Sequence, residues 1–190
     1  MHNSFLHSFM IMCVVITAMV SCTKDPDPVN EEELITTVKY TLTSDNSEVV
    51  VMEFSDKDGS GGQSPVIKTT GTLKSSLVYQ GSLLISNESV NPSQDITAEI
   101  LAEAADHQFF FEPSAELTQK IKISYADTDG NGFPLGLKTK VEPLSSGAGK
   151  LRITLRHEPD KKAEGVSQGK ILNAGGETDL QVEFDLEIQN

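Results

Sequence analysis

Apolar residues recur at every second position through most of this chain, and that period constrains its fold more than any other feature. Leu180, Val182, Phe184, Leu186 and Ile188 alternate with Gln181, Glu183, Asp185 and Glu187. Leu151, Ile153 and Leu155 alternate with Lys150, Arg152 and Thr154, and Ile121, Ile123 and Tyr125 with Lys120, Lys122 and Ser124. Successive side chains of a strand point to opposite faces, so such runs predict strands with one buried and one wet face. Further strands are expected at 35–43, 48–55, 77–86 and 108–112, with weaker ones at 66–70 and 136–141. The three phenylalanines Phe109, Phe110 and Phe111 read as a strand covered on both faces, or as one with a ring left for a partner. A helical period occurs only over 95–105. There Ile96, Ile100, Leu101 and Ala104 make a narrow stripe, and Ser93 or Asp95 is placed to cap the start. Many short strands divided by Gly, Asn, Asp and Ser turns, with one short helix, predict an all-β fold. The expected architecture is a single antiparallel β-sandwich domain over 34–190.

The domain also echoes itself. The run from Phe54 to Gly61 returns as Tyr125 to Gly132, so that Asp56, Asp58 and Gly59 fall on Asp127, Asp129 and Gly130. At the same offset Val50 and Met52 fall on Ile121 and Ile123, and Val38 and Tyr40 on Phe109 and Phe111. The echo reads as two duplicated halves packed face to face, each burying one sheet face. An incidental likeness between two β-hairpins is the alternative.

The repeated turns are acidic. Asp127, Asp129 and Asn131 stand at alternate positions with a glycine, Gly130, at the bend, as in the first half of an EF-hand calcium loop, and Asp56 and Asp58 are followed by Gly59 in the first copy. The second half of such a loop is missing, because the bidentate carboxylate is replaced by Lys138 in one turn and Ile67 in the other. Calcium binding would therefore need the other turn or a neighbouring acid to complete the shell. The plainer reading is turn chemistry, since Asp and Gly supply the Asx-turns and positive φ that hairpins need.

The first 33 residues are of a different kind. An apolar run from Phe9 to Val20 is too short to span a bilayer and has the length of a signal-peptide core. It ends in Met19-Val20-Ser21-Cys22, which resembles the lipobox of bacterial lipoproteins. Residues 1–21 are thus expected to be an export signal and Cys22 the acylated first residue of the mature chain. Met19 stands where Leu is usual, and residues 1–8 lack the customary Lys or Arg. Residues 22–33, polar and acidic with Pro26 and Pro28, read as a flexible tether. Lys24 and Asp25 just after the cysteine resemble the surface-export signal of Bacteroidota lipoproteins.

Charge and residue inventory narrow the function classes. The signal has no charged side chain, so the formal net charge of −13 belongs to the mature part, which makes nucleic acid and anionic membrane surfaces poor partners. Cys13 and Cys22 are the two cysteines of the chain. With one removed and the other acylated, no disulfide, Cys-ligated zinc or cysteine nucleophile is expected. The absence of Trp and an aromatic content of 6% argue against a sugar-stacking platform. Two histidines follow the signal. His107 leads into the phenylalanine run and His157 stands at a strand end beside Arg156 and Glu158. If those strands lie side by side, the rings approach and bind a metal or haem iron between them; hydrogen bonding at strand ends is the alternative. No nucleophile elbow, phosphate loop or dinucleotide fingerprint is present, so no catalytic residue is assigned and an enzyme is not expected.

Four segments, Glu31 to Thr37, Ala105 to Gln108, Leu155 to Pro159 and Gly175 to Asp179, resemble those of a group of small, functionally uncharacterised Bacteroidota lipoproteins. The resemblance covers most of the mature chain and implies an envelope lipoprotein, with no activity to carry over to any residue. Some members bear the label of a type 1 periplasmic binding fold, which has two α/β lobes. The chain is too short for two lobes and lacks alternating βα units. The expectation is a lipid-anchored module of the outer membrane, on the cell surface or the periplasmic leaflet, with a binding or structural role and a possible protein partner.

Overall fold

The computed structural model of the chain describes residues 34–59 and 62–190. The expected signal, the tether and Cys22 lie outside these residues. Among the described residues eleven strands and one α-helix follow in order, with two 3-10 turns between the last two strands: β1 (Thr37–Ser44), β2 (Val49–Ser55), β3 (Val66–Thr70), β4 (Leu73–Lys74), β5 (Tyr79–Asn87), β6 (Gln94–Asp95), α1 (Ile96–Ala102), β7 (His107–Pro113), β8 (Ile121–Tyr125), β9 (Lys138–Pro143), β10 (Gly147–His157) and β11 (Glu177–Gln189). One sheet has the order β3-β2-β1-β5-β9-β8, with β6 paired to the end of β5. The other has the order β4-β11-β10-β7. All pairings are antiparallel except that of β4 with β11. The two sheets pack as an all-β sandwich.

The period-two runs are the strands, and their apolar sides form the core. Val38, Tyr40 and Leu42 of β1, with Leu83 and Ile85 of β5, belong to one buried cluster with Leu151, Ile153 and Leu155 of β10. The same cluster takes all five alternating residues of β11, from Leu180 to Ile188. Burying these side chains is the main favourable term, each contributing about 1.5–3 kcal/mol relative to exposure. The phenylalanine run is covered on both faces. Phe109 and Phe111 join the main core, while Phe110 points the other way and is sealed by Val166 and Ala174 of the long β10–β11 connection.

Helix α1 is shorter than expected, because Ile96 and Ile100 alone bury their side chains and Leu101, a further 100° round a helical turn, is exposed. Its cap is Asp95, whose carboxylate accepts from Ala98 N at 3.3 Å. The helix docks on β5 through Thr97, whose hydroxyl accepts from Ile85 N at 2.7 Å and lies 3.0 Å from Ile85 O. It thereby takes the place of a strand neighbour there.

The sheets do not divide where the sequence repeats. The pairing of β1 with β5 has a counterpart in β7 with β10, and that of β2 with β3 in β8 with β9. The counterpart of β1 with β2 is missing: β7 and β8 lie in different sheets, and the β8–β9 hairpin extends the sheet of the first half through β5. Each half forming its own sheet is therefore overturned. The chain changes sheets over 113–120: Ser114 N still donates to Lys150 O at 2.8 Å just past the end of β7, and the crossover is then seated by the fully buried Leu117.

Candidate functional site

The two acidic turns follow β2 and β8. These strands run in the same direction, so both turns sit at one end of the first sheet. Three strands stand between them in the order β2-β1-β5-β9-β8. Four strand spacings at about 4.8 Å put the turns roughly 19 Å apart along the sheet, too far to share an ion. In the second turn the carboxylate oxygens already accept from the backbone. Asp127 takes Gly136 N at 2.8 Å and Lys138 N at 2.9 Å, one on each oxygen. Asp129 Oδ1 takes Asn131 N at 2.8 Å and Phe133 N at 2.9 Å, and its Oδ2 takes the Lys161 ammonium at 3.0 Å. Burial works against the charge of Asp129, yet Lys161 and the two N–H donors outweigh it and hold the carboxyl below its ordinary range. The Asn131 side chain is exposed. In the first turn Asp58 Oδ2 accepts from Gln63 N at 2.7 Å, and Asp56 holds the strand end, its N–H donating to Thr36 O at 2.8 Å. The calcium reading of Asp127, Asp129 and Asn131 thus meets carboxylates that close their own turn and an ammonium where a cation would sit, while Asp56 and Asp58 lie too far away to complete that shell.

The histidines are brought together. β7 and β10 are neighbours, and in their register His107 stands directly opposite His157. The rings stack with centroids 4.7 Å apart and planes 9° apart. A third ligating group comes from β11. The register of β10 with β11 shifts between Leu155, opposite Leu180, and Arg156, opposite Thr178. Asp179 is the extra residue of a β-bulge. A bulge turns the alternation of a strand, so Asp179 shares the inner face with Leu180 instead of pointing away from it. Its Oδ2 lies 3.8 Å from His107 Nε2, and the two side chains are 5% and 2% exposed. One ligating atom from each of His107, His157 and Asp179 falls within 4.8 Å of the others.

The protonation pattern of His107 follows from its partner. Nδ1 lies 3.1 Å from Glu103 O, at the end of α1. A carbonyl can only accept, so Nδ1 carries a hydrogen toward Glu103 O, and Nε2 is the ring nitrogen that faces Asp179. The frame around the rings is tight. Glu158 N donates to Asp106 O at 2.6 Å, which ties the ends of β10 and β7 together. Gly176, at φ 66°, lies so close to the His157 carbonyl and the Glu158 backbone that a Cβ there would collide with both. Stacked rings with nothing between them suit a small ion at their edges. They do not suit a haem iron ligated from two sides, which needs the width of a porphyrin between the rings.

Sequence reasoning reached the two histidines through the pattern of strand ends but missed Asp179. Its parity places it on the wet face of an unbroken β11, and only the bulge reverses that. The signal available was the double glycine Gly175-Gly176 entering the strand. No family model matches the chain, and comparison with curated proteins and with solved structures finds no match either.

Proposed function

We propose that the chain is a lipid-anchored envelope protein of the outer membrane whose β-sandwich serves as a non-enzymatic binding or structural module, of the kind its resemblance to Bacteroidota lipoproteins implies. The observation that carries the reading is the run Met19-Val20-Ser21-Cys22 at the end of an apolar core, followed by an acidic, proline-punctuated stretch and then by the sandwich. In this reading Cys22 takes the lipid, residues 22–33 give the domain reach, and the net charge of −13 keeps it off anionic surfaces and nucleic acid.

Metabolic labelling with a tagged fatty acid in a bacterial host tests the anchor. The wild-type chain should take up label and sediment with outer membranes, and Cys22→Ser should do neither. A wild-type chain that is exported yet never labelled would remove the proposal. Protease treatment of intact cells then separates surface display, with loss of the domain, from the periplasmic leaflet, with protection.

A further inference from the structure

We propose that His107, His157 and Asp179 bind a divalent transition-metal ion of the zinc class at the end of the second sheet. The proposal does not rest on the lipid anchor. It rests on three strands in succession, β7, β10 and β11, each placing one ligating side chain at the same level of one face.

Donor chemistry selects the metal. Two imidazole nitrogens and one carboxylate oxygen are the ligands of borderline ions such as zinc, cobalt and iron(II), whereas calcium and magnesium take oxygen sets. Metal–ligand bonds of about 2.0–2.2 Å separate two donors on a tetrahedral ion by roughly 3.4 Å. The His107 Nε2 to Asp179 Oδ2 separation of 3.8 Å and the 4.8 Å limit of the set are close to that spacing, and because the ring planes are only 9° apart the imidazoles must tilt out of their stack to aim both lone pairs at one ion. Three protein ligands leave a fourth position for water or an incoming group.

Two further features are those a metal site requires. The hydrogen bond from His107 Nδ1 to Glu103 O is the outer-shell contact that fixes a ligating tautomer and aims the ring. The bulge at Asp179 re-aims a carboxylate that regular pairing would send to solvent. The buried position of His107 and the Gly176 contact keep the ligand backbones from spreading.

The test uses the purified full chain in mild detergent, stripped with EDTA and titrated with Zn²⁺ or Co²⁺. One ion per chain should bind saturably, and the cobalt form should show visible d–d bands. X-ray absorption of the loaded wild-type chain should show two imidazoles in the metal shell. Asp179→Asn and His157→Gln should each lower affinity about tenfold or more, since even outer-shell changes cost that much. Asp127→Asn should leave binding unchanged. The variants are compared only where their circular dichroism in EDTA matches the wild type; if neither folds, the wild-type absorption spectrum decides alone. Absence of saturable binding by the wild-type chain, a shell made only of oxygen, or affinity indifferent to both replacements overturns the proposal. Each of these outcomes leaves the labelling of Cys22 untouched, so the anchor and the metal site stand or fall separately.

Discussion

Replacing Asp129 by Ala is the sharpest test of how the second acidic turn is held. Asp129 and Lys161 are a buried ion pair, with side chains 1% and 5% exposed. The ammonium also donates to Ala104 O at 2.7 Å and to Pro134 O at 3.1 Å, so one cation joins the end of α1, the turn after β8 and the β10–β11 connection. Removing the carboxylate strands a charged lysine in a space water scarcely reaches and frees the N–H groups of Asn131 and Phe133. Breaking one partner of a buried pair costs about 3–5 kcal/mol. For a domain of this size each kcal/mol moves Tm by about 2–4 °C, so the variant should melt roughly 6–20 °C lower. Urea unfolding of the purified chain, followed by circular dichroism, measures the same gap as a fall in midpoint at constant slope. The pH dependence has a fixed sign. The folded carboxyl lies below its ordinary value of 3.8, so its contribution is present in full above that value and is lost as pH falls through the folded pKa. The gap between wild type and Asp129→Ala should therefore be constant near neutrality and shrink in acid. A loss under about 1 kcal/mol, the range of an exposed pair, would refute the argument.

Millimolar calcium should leave the wild-type Tm unchanged, because the oxygens of Asp127 and Asp129 already accept from backbone and ammonium; a calcium-dependent rise abolished by Asp127→Ala would reinstate a calcium site there. Gly81→Ala should destabilise by about 1–3 kcal/mol in denaturant titration, since a Cβ at that point of β5 runs into Thr139 Oγ1 and Tyr40 Oη. Tyr40→Phe breaks the 2.5 Å hydrogen bond between Tyr40 and Thr139 and leaves the Thr139 hydroxyl buried without it, for a loss of about 1–3 kcal/mol by the same assay. Asp95→Ala removes the cap of α1 and should lower stability by about 1 kcal/mol, read most directly as faster amide exchange at Ala98.

Alternation of apolar residues is enough to locate the strands and their buried sides. In β11 the residues from Leu180 to Ile188 alternate so regularly that burial could fall on only one face, and in β10 the triplet Leu151, Ile153 and Leu155 does the same. The sequence also placed two histidines at the mouths of strands that the register later set opposite each other. What it could not carry was everything that depends on which strand meets which. The echo between the two halves is a local pattern, while the choice of sheet for the β8–β9 hairpin is made by the crossover seated by Leu117, a packing event without a period of its own. The acidic turns looked alike in composition, yet the role of Asp129 is set by Lys161, 32 residues further along. Asp179 was invisible for the same reason. Strand periodicity assigns it to solvent, and a one-residue bulge, which costs the sequence no change in hydrophobic pattern, turns it onto the histidines. Alternation encodes the faces of each strand, because burial is read residue by residue. The register between strands belongs to the assembled sheets alone, because it is the sum of contacts between residues far apart in the chain.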